Sequence, residues 1–185
     1  MKKEECILFS GGIQGAEAEF GANAEKFGIE EVNFTFEGHN MVRTRGVRML
    51  NHDELSQGDF SLEYVSKLMN RNYPSTPLFR KILQSIWFQI NNGQEIYVIG
   101  EILENKTVMG GTGWGTEFAK LCNKPLFVFD QKKNAWFKWS HLDWVECKKG
   151  EEPVIQHAHF VGTGTRFLTE ESKKAIQDLF ERSFK

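Results

Sequence analysis

Apolar positions along the chain follow two alternating rhythms. Short apolar runs at "ECILFS" (5–10), "EVNFTF" (31–36), "EIYVIG" (95–100) and "PLFVF" (125–129) read as strands, the second alternating Val32, Phe34 and Phe36 with period two. Between them the spacing widens to that of helices. In 15–28, Ala16, Phe20, Ala24 and Phe27 share one face and Gly28 ends the helix. In 75–90, Leu78, Ile82, Ile86 and Ile90 recur every four residues, with Thr76 as the expected cap and Pro77 in the first turn.

The remaining stretches are less regular. Residues 37–50 read as a loop carrying Arg43, Arg45 and Arg48, and 51–71 as one further helical region. The aromatic-rich segment 135–147 reads as a short strand pair or a flap. "VIQHAHFVGTG" (154–164) is expected to be a last strand that runs into a glycine turn. Thr169 then caps a final helix, with Glu170 and Glu171 at its positive end.

The strand–helix–strand unit over 5–36 has the length of a parallel crossover. Continued alternation of strands and helices predicts an α/β fold, doubly wound, with a mostly parallel sheet and helices on both faces. One domain spanning 1–185 is expected, without internal repeat, low-complexity tract or linker.

Composition narrows the classes. With 185 residues, 40% hydrophobic and 26% charged, the chain is expected to fold around a sizeable core. A net charge of −2 argues against a general nucleic-acid or membrane binder. No apolar run has the length of a membrane span, and the apolar part of "MKKEECILFSGG" is short for a signal peptide, so a cytoplasmic location is expected. Cys6, Cys122 and Cys147 are odd in number and have no metal-like spacing, which suits free thiols in a reducing compartment.

The candidate chemistry lies in glycine turns. "SGGIQGA" (10–16) and "GGTGWGTE" (110–117) each belong to a strand–turn–helix passage, and "GTGTR" (162–166) adds a third turn with Arg166. In a parallel sheet such turns lie at the carboxyl ends of the strands, where backbone N–H groups and the positive helix end attract phosphate. Glycine lets the backbone approach the anion and supplies positive φ. There is no GxxxxGK[ST], which excludes a Walker-type ATPase. Neither "GGIQGA" nor "GGTGWG" is GxGxxG, which argues against an ordinary dinucleotide dehydrogenase.

These two stretches, with "EGH", "KPLFVFDQ" and "FVGTGTRFLTEESKKAIQDLFE", resemble the SLOG superfamily, which includes YpsA-like, DprA-like and LOG-type Rossmann-like proteins. The resemblance covers most of the chain and lies nearest an uncharacterised YpsA-related branch. It implies a nucleotide or nucleotide-derived ligand bound by Ser10, Gly11, Gly12 and Gly15 of the first turn and by Gly110, Gly111, Thr112 and Gly113 of the second. It also implies a homodimer or higher homo-oligomer, as does the apolar surface expected on helix 75–90 and segment 135–147. LOG-type phosphoribohydrolases carry PGGxGTxxE; the chain matches at Gly110, Gly111, Gly113 and Glu117 and departs at Met109 and Trp114. By that resemblance Glu117 is the candidate catalytic acid for N-glycosidic cleavage. As a residue one turn into a helix it equally suits a capping or solvated role.

Other candidates carry two readings each. Trp114 either stacks on a base or packs. Arg43, Arg45 and Arg48 either clamp a phosphate or form a solvated basic loop. Arg166 directly follows a glycine turn. His39, at the end of the second strand, faces the candidate pocket or makes a structural hydrogen bond. Asp130 and Gln131 end a strand within reach of a ribose hydroxyl. His157 and His159 share a strand face but lack supporting ligands, so neither metal nor cofactor is expected. Two functions remain: a nucleotide-binding sensor, carrier or sequestering protein, and a hydrolase of a nucleoside phosphate or ADP-ribose-like compound. A membrane partner is not expected, and single-stranded DNA binding is disfavoured by the charge.

Overall fold

A computed structural model describes residues 2–185. Eight strands form one sheet: β1 (Ile7–Ser10), β2 (Glu30–Thr35), β3 (Val47–Met49), β4 (Glu95–Gly100), β5 (Leu126–Asp130), β6 (Ala135–Trp139), β7 (Trp144–Glu146) and β8 (His159–Gly164). Their order is β3-β2-β1-β8-β4-β5-β6-β7. All neighbours from β3 to β5 are parallel, with Phe9 beside Val32 and Val161, and Val98 beside Val128 and Thr163. The hairpin β6–β7 closes the far edge antiparallel.

Six helices cover the sheet: α1 (Ala16–Phe27), α2 (His52–Ser56), α3 (Asp59–Leu68), α4 (Pro77–Asn92), α5 (Thr112–Leu121) and α6 (Glu170–Phe184). The inner strands bury both faces, as parallel strands under crossover helices must. On β4, Ile96 and Val98 enter the core shared with α3, α4 and α5, while Tyr97 and Ile99 enter the core shared with α1 and α6. The α/β class and helices on both faces are as the sequence rhythms predict.

Several local expectations change. The helical region 51–71 is two helices, α2 and α3. They break at Gly58, where a Cβ would lie 2.9 Å from the Trp87 ring. The loop 37–50 contains β3, whose three exposed residues give no alternation to read. Thr76 makes no side-chain cap bond, whereas Thr169 accepts the Ser172 N–H at 3.1 Å. Only 159–164 of the last strand pairs; upstream, Glu95 Oε2 accepts the N–H groups of Gln156 and His157.

The surfaces expected to drive association are interior in part, with Leu78 and Phe79 of α4 and Leu142 and Val145 of segment 135–147 exposed. Ile86 and Ile90 of α4 and Trp136 and Phe137 of β6 are buried. A step of four residues runs about 40° past a full helical turn, so the stripe drifts and Leu78 emerges to solvent. No helix among the described residues is long and apolar enough to cross a membrane.

Candidate functional site

The chain leaves β1 toward β2 and β3, crosses to β4 and β5, and returns to insert β8 between β1 and β4. A crevice opens where the connections diverge, at the carboxyl ends of these strands. It encloses about 540 Å³ and takes walls from all three glycine turns: Ile13 and Glu17, Gly110 to Thr112, and Gly164 to Arg166. The first and third turns are locked together. Ala16 N–H donates to Thr165 O at 2.9 Å. A Cβ on Gly15, which has φ +99°, would lie 2.4 Å from that oxygen.

The second turn is held by Glu101 on the crevice wall and by Arg71 from outside it. Met109 N–H donates to Glu101 O at 2.9 Å, and Arg71 Nη1 donates to Gly110 O at 3.1 Å. Gly113 is required by packing, since a Cβ there would meet Val108 O at 2.1 Å. Gly111 is different. Its φ of −63° suits any residue, and a Cβ would meet only Phe79, at 3.6 Å. It caps α5 on the crevice wall, with no side-chain bond closing the turn. Of the first N–H groups of α5, those of Gly113 and Trp114 turn back onto Gly110 O and Gly111 O at 3.3 and 3.0 Å, and those of Gly111 and Thr112 lie ahead of them on the wall. Arg166 brings a positive charge to the crevice from the third turn, where it lies against Gly15. Ile82 and Ile86 add apolar surface, and Phe79 and Phe167 are 39% and 84% exposed.

The first turn is already occupied by the chain. Glu17 folds back over the start of α1, accepting the Ile13 N–H at 3.3 Å and the Thr163 hydroxyl at 2.9 Å. Burial pushes its carboxyl above the usual range, against the opposing pull of hydrogen bonds from Thr163, Ile13, Gln89 and Gly11. Gly11 lacks a side chain because Glu17 Oε2 and Gln89 Nε2 would lie 2.7 and 2.6 Å from its Cβ. The Gly12 carbonyl accepts the N–H groups of Val42 and Arg43 at 2.8 and 3.0 Å. Ser10 is buried, donating to Gly162 O at 2.7 Å.

Other sequence candidates lie elsewhere. Trp114 is 3% exposed and packs in the core, its ring 5.9 Å from that of Tyr73. It covers no part of the crevice wall, because the first turn of α5 directs it down onto α3 and α4. Glu117 also turns away, accepting from Lys120 Nζ at 2.6 Å. That ammonium lies 4.0 Å from the Trp139 ring centre and is depressed by burial. Arg43 is tied to Glu25 and the buried Glu31, Arg45 pairs with the same two, and Arg48 pairs with Glu54. The arginine triplet is therefore a structural set of ion pairs rather than a clamp on the crevice.

His39 accepts or donates at Thr35 Oγ1, 3.1 Å away, and stacks on Phe36 at 4.5 Å. Burial lowers its pKa, and the nearby Arg166 charge adds to this. Asp130 caps the end of β5 by accepting the N–H groups of Ile102 and Lys132, while Gln131 reaches the crevice and ties it to α6. His159 meets the Phe9 ring edge-on. Among the described residues no group of three or more His, Cys, Asp or Glu is placed to hold a metal. The three cysteines are free.

Glu17, Phe79 and Phe167 were the residues sequence reading overlooked. Glu17 carried one signal: an acid just after a glycine turn, in the first turn of a helix.

No protein-family model matches this chain, and no curated protein does. Among solved structures, the chain is similar to a protein from Syntrophus aciditrophicus SB described as a "Putative molybdenum carrier protein". The match has a TM-score of 0.52 at 15% identity and covers 97% of this chain and 96% of that one. At that identity the likeness concerns the fold alone.

Proposed function

We propose that the chain binds a small phosphate-bearing ligand, a nucleotide or nucleotide derivative, in the crevice between β1, β8 and β4, as a sensor, carrier or sequestering protein. Gly111 is the observation that carries this reading. Neither backbone conformation nor packing demands glycine there, yet it stands on the crevice wall at the start of α5. Close approach of a ligand to the backbone does demand it. Arg166 supplies the opposite charge, and the Phe79 and Phe167 rings suit a planar base.

The resemblance of the glycine turns to SLOG proteins supports the same class of ligand, and the description of the similar Syntrophus protein as a molybdenum carrier supports a carrier role. Molybdenum in water is a tetrahedral oxyanion, so a turn that suits phosphate suits it too. Hydrolysis by Glu117 gains no support, because that carboxylate is engaged by Lys120 outside the crevice. Self-association is retained as part of the proposal, now on α3, where Phe60, Tyr64 and Leu68 are exposed at spacing four.

The test is calorimetric titration with a panel of nucleotides, followed by recovery of the ligand after denaturation. Intact ligand is expected. Gly111→Val is expected to abolish binding while the circular dichroism spectrum is unchanged. Unaltered affinity in the folded variant overturns the reading.

A further inference from the structure

Phe167 lines the crevice with its ring in solvent, yet its backbone is fixed on both sides. Its N–H donates to Thr165 Oγ1 at 3.2 Å, and its carbonyl accepts from Gln131 Nε2 at 3.1 Å. Thr165 is tied in turn to β4 and α1: its N–H donates to Ile99 O and its carbonyl accepts the Ala16 N–H, each at 2.9 Å. On the other side Leu168 packs against the core shared with α1 and α6, and Thr169 caps α6. Packing therefore takes Leu168 and leaves Phe167 out. Phe79 and Met109, 39% and 50% exposed, line the same crevice, so the Phe167 ring belongs to an apolar wall and is not a scattered surface residue. A ring carried on a fixed backbone has less freedom to lose when a ligand orders it.

Gln131 is the part of this anchorage that comes from another strand. It follows β5, its N–H donates to Gly100 O at 2.9 Å, and its carboxamide spans the third turn. While Nε2 holds Phe167 O, Oε1 accepts the Thr169 N–H at 3.1 Å and the Ser172 hydroxyl at 2.8 Å. Both ends of the carboxamide are thus committed to the turn, although Gln131 stands on the crevice wall. We propose that Gln131 is a positioning residue for ligand recognition: it sets the third turn so that the Phe167 ring meets the planar base of a nucleotide, and does not itself contact the ribose. This rests on the reading of the crevice as a nucleotide site.

Adenosine monophosphate is titrated by calorimetry into the wild type, Gln131→Ala, Phe167→Ala and the double variant, and each protein is melted thermally. Gln131→Ala is expected to weaken binding about tenfold, and Phe167→Ala about tenfold or more, as loss of base stacking does. In the Phe167→Ala background, Gln131→Ala is expected to cost less than about threefold further, because residues that act through one contact do not add. Should Phe167→Ala bind too weakly to measure, Phe167→Leu serves as the background. Gln131→Glu keeps acceptors for Thr169 and Ser172 but gives up the donor to Phe167 O. It is expected to lose affinity as alanine does while melting closer to wild type, and it stands in should Gln131→Ala fail to fold. Wild-type affinity in a folded Gln131 variant, wild-type affinity in Phe167→Ala, or a further tenfold loss in the Phe167 background overturns the role of Gln131 and leaves the crevice reading standing. A wild type without measurable affinity for the nucleotide overturns both.

Discussion

Glu17 and Thr163 lie 146 residues apart in sequence and meet at 2.9 Å across the floor of the crevice. Their bond joins the start of α1 to the end of β8. It places a carboxyl group at the point where three glycine turns converge.

That carboxyl has a consequence for stability. Burial raises Glu17 above its ordinary value of 4.5, so the unfolded chain loses this proton at lower pH than the folded one. The stability it contributes is full below pH 4.5 and is lost as pH rises toward the raised folded value. Glutamine carries no such proton. The melting temperature of Glu17→Gln relative to wild type is therefore expected to climb as pH rises above the ordinary value of 4.5. A difference that stays flat or falls over that range contradicts the assignment.

The glycines of the second turn separate by role. Gly113→Ala forces a Cβ against Val108 O and is expected to cost roughly 1–3 kcal/mol in urea unfolding, as overpacking does. Gly111→Ala meets only the Phe79 ring edge and is expected to stay within about 0.5 kcal/mol of wild type. Equal losses would show that both glycines serve the fold alone.

Trp114 is expected to behave as a core residue. Trp114→Ala should destabilise by roughly 3–5 kcal/mol, the range for truncating a large buried aromatic. Thermal unfolding followed by circular dichroism measures it. A loss under about 1 kcal/mol would return Trp114 to the surface role its place in the turn suggested.

Arg43 and Arg45 share the same two carboxylates but differ in exposure. Their side chains are 16% and 42% exposed, and the Glu31 side chain they face is 1% exposed. Removing Arg43 leaves a buried carboxylate without its main partner, so Arg43→Ala is expected to cost about 3–5 kcal/mol. Arg45→Ala should cost no more than about 1 kcal/mol. Chemical denaturation of the two variants distinguishes this pairing from a ligand clamp, in which both would fold normally and both would lose affinity.

Local pattern was enough for much of the architecture. Short apolar runs marked β1, β2, β4 and β5, and helical spacing marked α1 and α4. Gly28 in the left-handed region at φ 71° and Thr169 on the Ser172 N–H ended and began helices as their chemistry predicts. These signals are legible because each depends on residues within a turn or two. The short edge strand β3 was not, since its pairing partner lies elsewhere and its residues are exposed.

The glycine turns were likewise legible as turns, but their occupants were not. Which strand lies beside β1 depends on the return of β8 from the end of the chain, a choice made by burial of both sheet faces rather than by any local motif. Only that return brings Thr163 and Arg166 to the first turn. Side-chain direction was also decided by packing. Trp114 and Glu117 stand in a motif that resembles a catalytic one, yet the helix rotates one into the core and the other toward Lys120. Glu17, one acid among many in the sequence, becomes the buried carboxyl of the crevice, because its Thr163 hydroxyl donor and the Gln89 amide beside it come from elements far along the chain.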